Sequence, residues 1–353
     1  MKDVSHDRRG MALALTLVAL VIVGAFVASA LFSGTQEQRM GENSRLLQQS
    51  FGVAEGAAYG AIGTWPANRS AYTGRRAYPL DSGVSLRTDP SQIGSYSGSL
   101  YRLNRTLYLV DVTGRDTTGR ASHRLGLLLR IVPPQADIQA ALTLAGPVTG
   151  GGGSARVIGT DTPPAARNRG DCGPTEGSVA GVRTTPDTSS LFSYGSTDYG
   201  ALARLAGVQL APGTYTPAPV VASGVCQTDG QPANWGDGND RTSPCGAYFP
   251  TIWLKGTGTS SITGGQGQGV LLVDGDLAVS GSFTFYGFVA VRGTLTVAPG
   301  ASADIYGTVS ATGADLTGSG TLSVSWSSCA VTDALLGAGV AALNRSRSWV
   351  PLY

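Results

Sequence analysis

Residues 11–32 contain no charged side chain, and Arg8, Arg9 and Gly10 stand directly in front of them. No other feature of the chain restricts its fold so tightly. As a helix rising about 1.5 Å per residue, the run is about 33 Å long, close to the hydrocarbon thickness of a bilayer. It predicts a membrane-spanning helix, with Met11, Leu15, Leu20, Phe26 and Phe32 among the residues in the apolar layer. Lys2, Arg8 and Arg9 outweigh Asp3 and Asp7 on the N-terminal side, so the positive-inside rule sends the rest of the chain across.

Ala28, Ser29 and Ala30 form an A-x-A cleavage pattern, and Arg8 with Arg9 matches a twin-arginine signal. Either would release a soluble secreted product. Ordinary signals, however, have apolar cores of about 7 to 15 residues, and here the helical pattern continues past the A-x-A. Met40, Leu47, Phe51, Ala54, Ala58 and Ile62 form one apolar stripe on a 3.6-residue period, among Gln36, Glu37, Arg39, Glu42, Arg45 and Gln48. The expected element is a single helix over 11–65, first transmembrane and then amphipathic. Pro66 ends it, because proline disfavours helical geometry in Trp65 and lacks an N–H.

Beyond the helix the pattern turns to strands. Leu107, Leu109 and Asp111 alternate with Tyr108 and Val110, a turn is expected at 114–119, and Leu125, Leu127, Leu129 and Ile131 resume the alternation. Leu100 to Leu103 offers a third strand. A hairpin alone is marginal in water, so residues 66–135 are expected to form a small antiparallel sheet packed on the helix. Pro133 and Pro134 mark a boundary.

After that boundary an internal repeat appears. Gly269, Gly287 and Gly307 each open a short alternating strand, with Gly275, Gly293 and Gly313 further along and a leucine two or three residues later. Units of this kind stack in solenoids. The expected fold class is α+β: helix, antiparallel sheet, then a β-solenoid over 136–335, in which Leu271, Val273, Val289, Val291, Val309 and Ala311 stack inward. A twisted sandwich of the same strands is the alternative. Residues 141–160 look like an outlying rung, and 162–255, rich in Pro, Gly, Asp and Thr, reads as a disulfide-bearing surface insertion. Asp333 before an apolar run predicts a capped helix over the last rung, with 336–353 as capping helix and tail.

Charged residues make up 14% of the chain and the net charge is +2, with Lys2 and Lys255 its only lysines. No basic stripe interleaved with aromatics occurs, so no nucleic-acid partner is expected. Cys172, Cys226, Cys245 and Cys329 lack a C-x-x-C pair and lie far from His6 and His123, which favours disulfides over zinc. Of three connectivities, Cys226 with Cys245 closes a loop containing Gly and Pro, leaving Cys172 with Cys329.

Catalytic constellations are thin. His123 sits alone in a predicted strand. Asp237, Asn239 and Asp240 gather oxygens that suit calcium, yet lack the glycine and glutamate of an EF-hand, so an Asx-rich turn is the expectation. Asp274 and Asp276 stand within a rung, but the matching copies carry Arg292 with Thr294 and Thr312 with Ala314, so no row of acids results. No catalytic residue, metal or cofactor is assigned.

Gly10 followed by Met11 and a long apolar helix resembles the prepilin leader of type IV pilins and type II secretion pseudopilins. Glu37, Arg39, Met40 and Asn43, then Phe51 and Glu55 among alanines, resemble the N-terminal region of PilX-type minor pilins. The resemblance covers residues 8 to about 62. It implies a leader over 1–10 cut after Gly10 by prepilin peptidase, an N-methylated Met11, a single inner-membrane span with a periplasmic domain, and later packing against other pilins or pseudopilins in a surface filament. Major pilins carry a glutamate at the fifth mature position, where this chain has Leu15. That departure fits a minor component. The competing functional class is an anchored or secreted β-helix protein that binds or cleaves polysaccharide.

Overall fold

Ala, Leu and Val dominate residues 11–32 and no proline interrupts the chain before Pro66, so one uninterrupted helix forms. In the computed structural model, which describes residues 8–63, 77–79, 94–104, 106–164, 177–228, 230–316, 318–344 and 349–351, that helix is α1 (Arg8–Gly63). At about 1.5 Å per residue it is roughly 84 Å long. Its last third packs on an antiparallel sheet, here called the front sheet, and the rest projects.

The front sheet contains the strands Ala77–Pro79, Gly94–Arg102, Leu107–Asp116 and Ser122–Val132 in sequential order. Alternation puts Tyr108, Val110 and Val112 of one strand and Leu125, Leu127, Leu129 and Ile131 of the next on the buried face, against Ala54, Ala57 and Ala58 of α1. The expected turn over 114–119 is shorter than predicted. Gly114 lies inside its strand, opposite His123. A Cβ there would fall 2.3 Å from the Ser50 carbonyl oxygen and 2.5 Å from the Ala54 nitrogen, so strand and helix backbones approach directly.

Asp116 closes the hairpin. Its carboxylate accepts from the Thr118 hydroxyl, from Thr118 N at 2.7 Å and from Ala121 N at 2.6 Å. These donors, the Thr118 hydroxyl foremost, favour the charged form and lower the pKa to about 2. An unfolded aspartate titrates near 3.9, so the contribution of this turn is complete above about pH 4 and is lost as pH falls toward 2. Monitoring the Thr118 amide by NMR should show the turn loosening in that window; in Asp116→Asn the window should vanish.

The other edge of Ser122–Val132 is filled from the far end of the chain. Val340–Leu343 pairs antiparallel with residues 129–132, and Trp349–Pro351 with residues 125–127. The expected capping helix and tail over 336–353 is therefore corrected. The run of Ala, Leu and Val has helix-forming composition, but Gly337 and Gly339 interrupt it and an unpaired strand edge stands ready to receive it. The helix itself begins earlier, as α4 (Ser328–Gly337), and its N-cap is Ser327, not Asp333. Asp161 adds a second cap, accepting from Ser328 N at 2.9 Å and Ser328 Oγ at 2.6 Å.

Between Val132 and Val340 lies a sheet of 13 strands whose pairings are all parallel. The three repeat copies pair in register, with Gly269 beside Gly287 and Gly287 beside Gly307. Each coil turns corners, so the long strands Gly265–Val273, Ser282–Val297 and Ser302–Leu316 contribute to more than one row of the stack. Val182, Leu142, Val309, Val289 and Leu271 stand abreast along one row. Leu271, Val273, Val289, Val291, Val309 and Ala311 are all buried. Strands buried on both sides need continuous apolar runs, which is why Val270 to Val273 shows no alternation.

The stretch 162–255 is less of an insertion than its composition predicts. Ala180–Thr184, Val208–Leu210, Thr214–Tyr215 and Thr251–Leu254 are members of the parallel stack. Strands of two to five residues between glycines and prolines are too short to show a period. The short helices α2 (Thr188–Leu191) and α3 (Tyr199–Arg204) lie against the stack, and Tyr194 meets Phe288 edge-on at 4.8 Å. Among the described residues, 216–228 and 230–250 form a lobe on the stack, closed by the Cys226–Cys245 disulfide and anchored by Trp235 in the stack core. Cys329 is also disulfide-bonded, whereas Cys172 lies outside the described residues. α4 covers a flank of the central strands and does not close an end of the stack. Its Val331, Ala334 and Leu335 join the stack core and its Leu336 the front-sheet core.

Candidate functional site

Two halves of α1 differ in everything that touches them. From Leu13 to Phe32 every large apolar side chain is exposed, including Leu15, Leu20 and Phe26. No charge breaks this stretch, and it is long and apolar enough to cross a membrane. Gly10 and Met11 lie in the first turns of the same helix. Leu46, Ser50, Val53, Ala54, Ala57 and Ala58 are buried against the front sheet.

The buried face coincides with the predicted stripe only at Ala54, Ala58 and Ile62. Ala54 and Ala58 lie under the sheet, but Met40 is 68% exposed, Leu47 51% and Phe51 38%. Close approach to Gly114 selects small residues for the packed face, so Ser50 and Ala57 occupy positions where sequence reading looks for large ones. Met40 and Leu47 therefore add exposed apolar side chains to the polar part of the helix that follows the apolar stretch.

Of the family-motif residues, Glu37, Arg39, Met40 and Asn43 lie on the projecting part of α1, Phe51 and Glu55 on its packed part, and they do not converge on a pocket. Glu37, Arg39, Met40 and Asn43 are exposed, and Glu55 is half-buried. Phe51 packs edge-on against His123 at 5.2 Å, which accounts for that histidine as a packing residue. Glu42 faces Arg120 at 3.8 Å across exposed side chains, a pairing worth little in water. What this arrangement offers chemically is apolar area on a rigid rod.

The acidic candidates are occupied by internal bonds. Asp274 accepts from Tyr199 Oη at 3.0 Å, Trp253 Nε1 at 3.0 Å and Gly256 N at 3.1 Å. Burial, and then the neighbouring Asp274 carboxylate, push the Tyr199 phenol up, while Arg292 lies 4.2 Å over its ring. Asp276 accepts from Thr294 N at 2.8 Å, tying one coil to the next. Asp237 accepts from Asp240 N at 3.1 Å and Gln266 Nε2 at 3.0 Å, Asn239 accepts from Tyr286 Oη at 2.6 Å, and Asp240 binds Thr242 in an Asx turn. Among the described residues, no three His, Cys, Asp or Glu side chains gather as a metal site.

Sequence reading anticipated none of the ion pairs, and one of them joins distant segments. Arg241 in the disulfide lobe reaches Asp333 of α4 at 3.3 Å, across 92 residues. No local pattern signals it, since neither residue has a periodic partner.

No family model matches the chain. Nor does any curated protein. Among solved structures, the chain is similar to the competence-associated pilin ComZ from Thermus thermophilus, with 12% identity over 87% of this chain and 97% of that one, and a TM-score of 0.24. A superposition that loose says nothing about function.

Proposed function

We propose that this chain is a structural, pilin-like subunit of a type IV pilus or related filament, anchored by residues 11–32 and carrying the parallel stack as its outward body. The observation that supports this most directly is that α1 joins an exposed apolar N-terminal stretch to a C-terminal third packed on an antiparallel sheet. An apolar rod of that length needs a bilayer or a bundle of like helices around it. The same surface serves both states, so a subunit can pass from membrane to filament without refolding.

The finer reading rests on the sequence motifs. Prepilin peptidase would cut after Gly10 and leave Met11 as the methylated terminus of a single-pass inner-membrane protein with its body in the periplasm. The PilX-type pattern at Glu37, Arg39, Met40, Asn43, Phe51 and Glu55, and Leu15 in place of a charged residue, favour a minor subunit; an unpaired carboxylate in an apolar bundle is costly. The stacked parallel coils are read as a β-solenoid, and Cys172 as the partner of Cys329.

Co-expression with and without a prepilin peptidase, followed by N-terminal sequencing, tests the reading. The expected mature chain begins at Met11 only when the peptidase is present. A chain beginning at Leu31 in both cases would overturn it.

A further inference from the structure

We propose that the Cys226–Cys245 disulfide is an oxidation-dependent latch: by holding Arg241 on Asp333 it fixes α4, and α4 in turn seats the C-terminal strands that complete the front sheet.

The path is short and each step is a contact. Within the lobe, the Asn234 amide donates to the Gln227 carbonyl and lies 3.4 and 3.5 Å from the two sulfurs. Gln268 of the stack donates to the carbonyls of Cys245, Gly246 and Tyr248 at 3.2, 3.1 and 2.7 Å. Turns from Asp240 to Ser243 and from Ser243 to Gly246 lead back from Cys245 to Arg241. The disulfide thus restrains the loop that presents the guanidinium.

Asp333 is 3% exposed, in a helix otherwise made largely of apolar residues. Removing the guanidinium takes a charged, hydrogen-bonding partner away from this buried carboxylate, which is unfavourable. The lobe touches α4 a second time at its end, where a Cβ on Gly337 would fall 2.4 Å from the Phe249 carbonyl oxygen. Two residues later a Cβ on Gly339 would fall 2.5 Å from the Ile131 side chain, and Val340 pairs with Val132. Displacing α4 therefore displaces the strand that comes after it.

Closing the latch takes two thiols to one disulfide. Two electrons and two protons pass to a thiol–disulfide oxidant, whose own disulfide becomes two thiols. In a reducing compartment the bond stays open, so the front sheet would remain incomplete until the chain meets an oxidising one.

The test is hydrogen exchange on the full-length chain in detergent, comparing wild type with Cys226→Ala/Cys245→Ala, Arg241→Ala and Arg241→Lys. Residues 340–343 are expected to exchange about tenfold faster in the double cysteine variant and in Arg241→Ala, with residues 288–291 unchanged and Arg241→Lys close to wild type. Loosening confined to residues 234–246, with wild-type exchange at 340–343, would overturn the latch. Should the double variant exchange faster everywhere, Arg241→Ala decides: wild-type protection of 340–343 in that variant also overturns it.

Discussion

Gly287→Val is expected to prevent the parallel stack from forming, with a loss of about 4 kcal/mol from backbone strain and overpacking together. Gly287 has a φ of +141°, and its neighbours in the ladder, Gly269 and Gly307, have φ of +106° and +141°. These are backbone conformations that side-chain-bearing residues rarely adopt. Space is closed as well: a Cβ at Gly287 would lie 2.0 Å from the Gly269 carbonyl oxygen and 2.9 Å from the Ala334 Cβ. The obstruction on one side is backbone belonging to the adjacent coil, so relief requires two coils to part. Urea unfolding of the full-length chain measures the loss. Gly313→Ala is the control, because its Cβ would meet nothing closer than Thr294 Oγ1 at 3.4 Å. That variant should stay within about 0.5 kcal/mol of wild type.

Gly114→Val should have the second-largest effect, at a different place. The added side chain would have to enter between the strand and the α1 backbone at Ser50 and Ala54, where a single Cβ already overlaps. Neither backbone can yield without breaking its own hydrogen bonds. The expected result is an undocked helix: α1 stays helical while Val110, Val112 and Leu127 lose their cover, at a cost of about 3 kcal/mol. Hydrogen exchange at Val110 and Val112 should accelerate while residues 288–291 keep wild-type protection. Equal acceleration in both regions would mean that the two cores unfold together and that the helix contact is not a local one.

The long apolar helix was legible because its run is unbroken, and the hairpin because it repeats one period for long enough to be seen. The repeat at Gly269, Gly287 and Gly307 was legible for a different reason, since positive φ and close coil contact demand the same residue at the same place in each copy. What failed shares a cause too. The packed face of α1 was read correctly at Ala54, Ala58 and Ile62 but not at Met40, Leu47 and Phe51, because close approach selects Ser50 and Ala57, which carry little apolar signal. Residues 162–255 concealed members of the stack in strands too short to alternate. Val340–Leu343 has the composition of a helix and became a strand because residues 129–132, far earlier in the chain, had an open edge. The Arg241–Asp333 pair could not be read at all, since it depends on where two distant segments end up.

Val132 and Val340 are direct partners across an antiparallel pair, whose Cα atoms stand about 5 Å apart. Everything between them begins and ends at that one gap, so the helix and front sheet act as a socket and the stack as what is plugged into it. A two-residue turn could bridge the same gap. Any body carried there must bring its own ends this close and must also supply, in place of α4, the cover that Leu336 gives the front-sheet core.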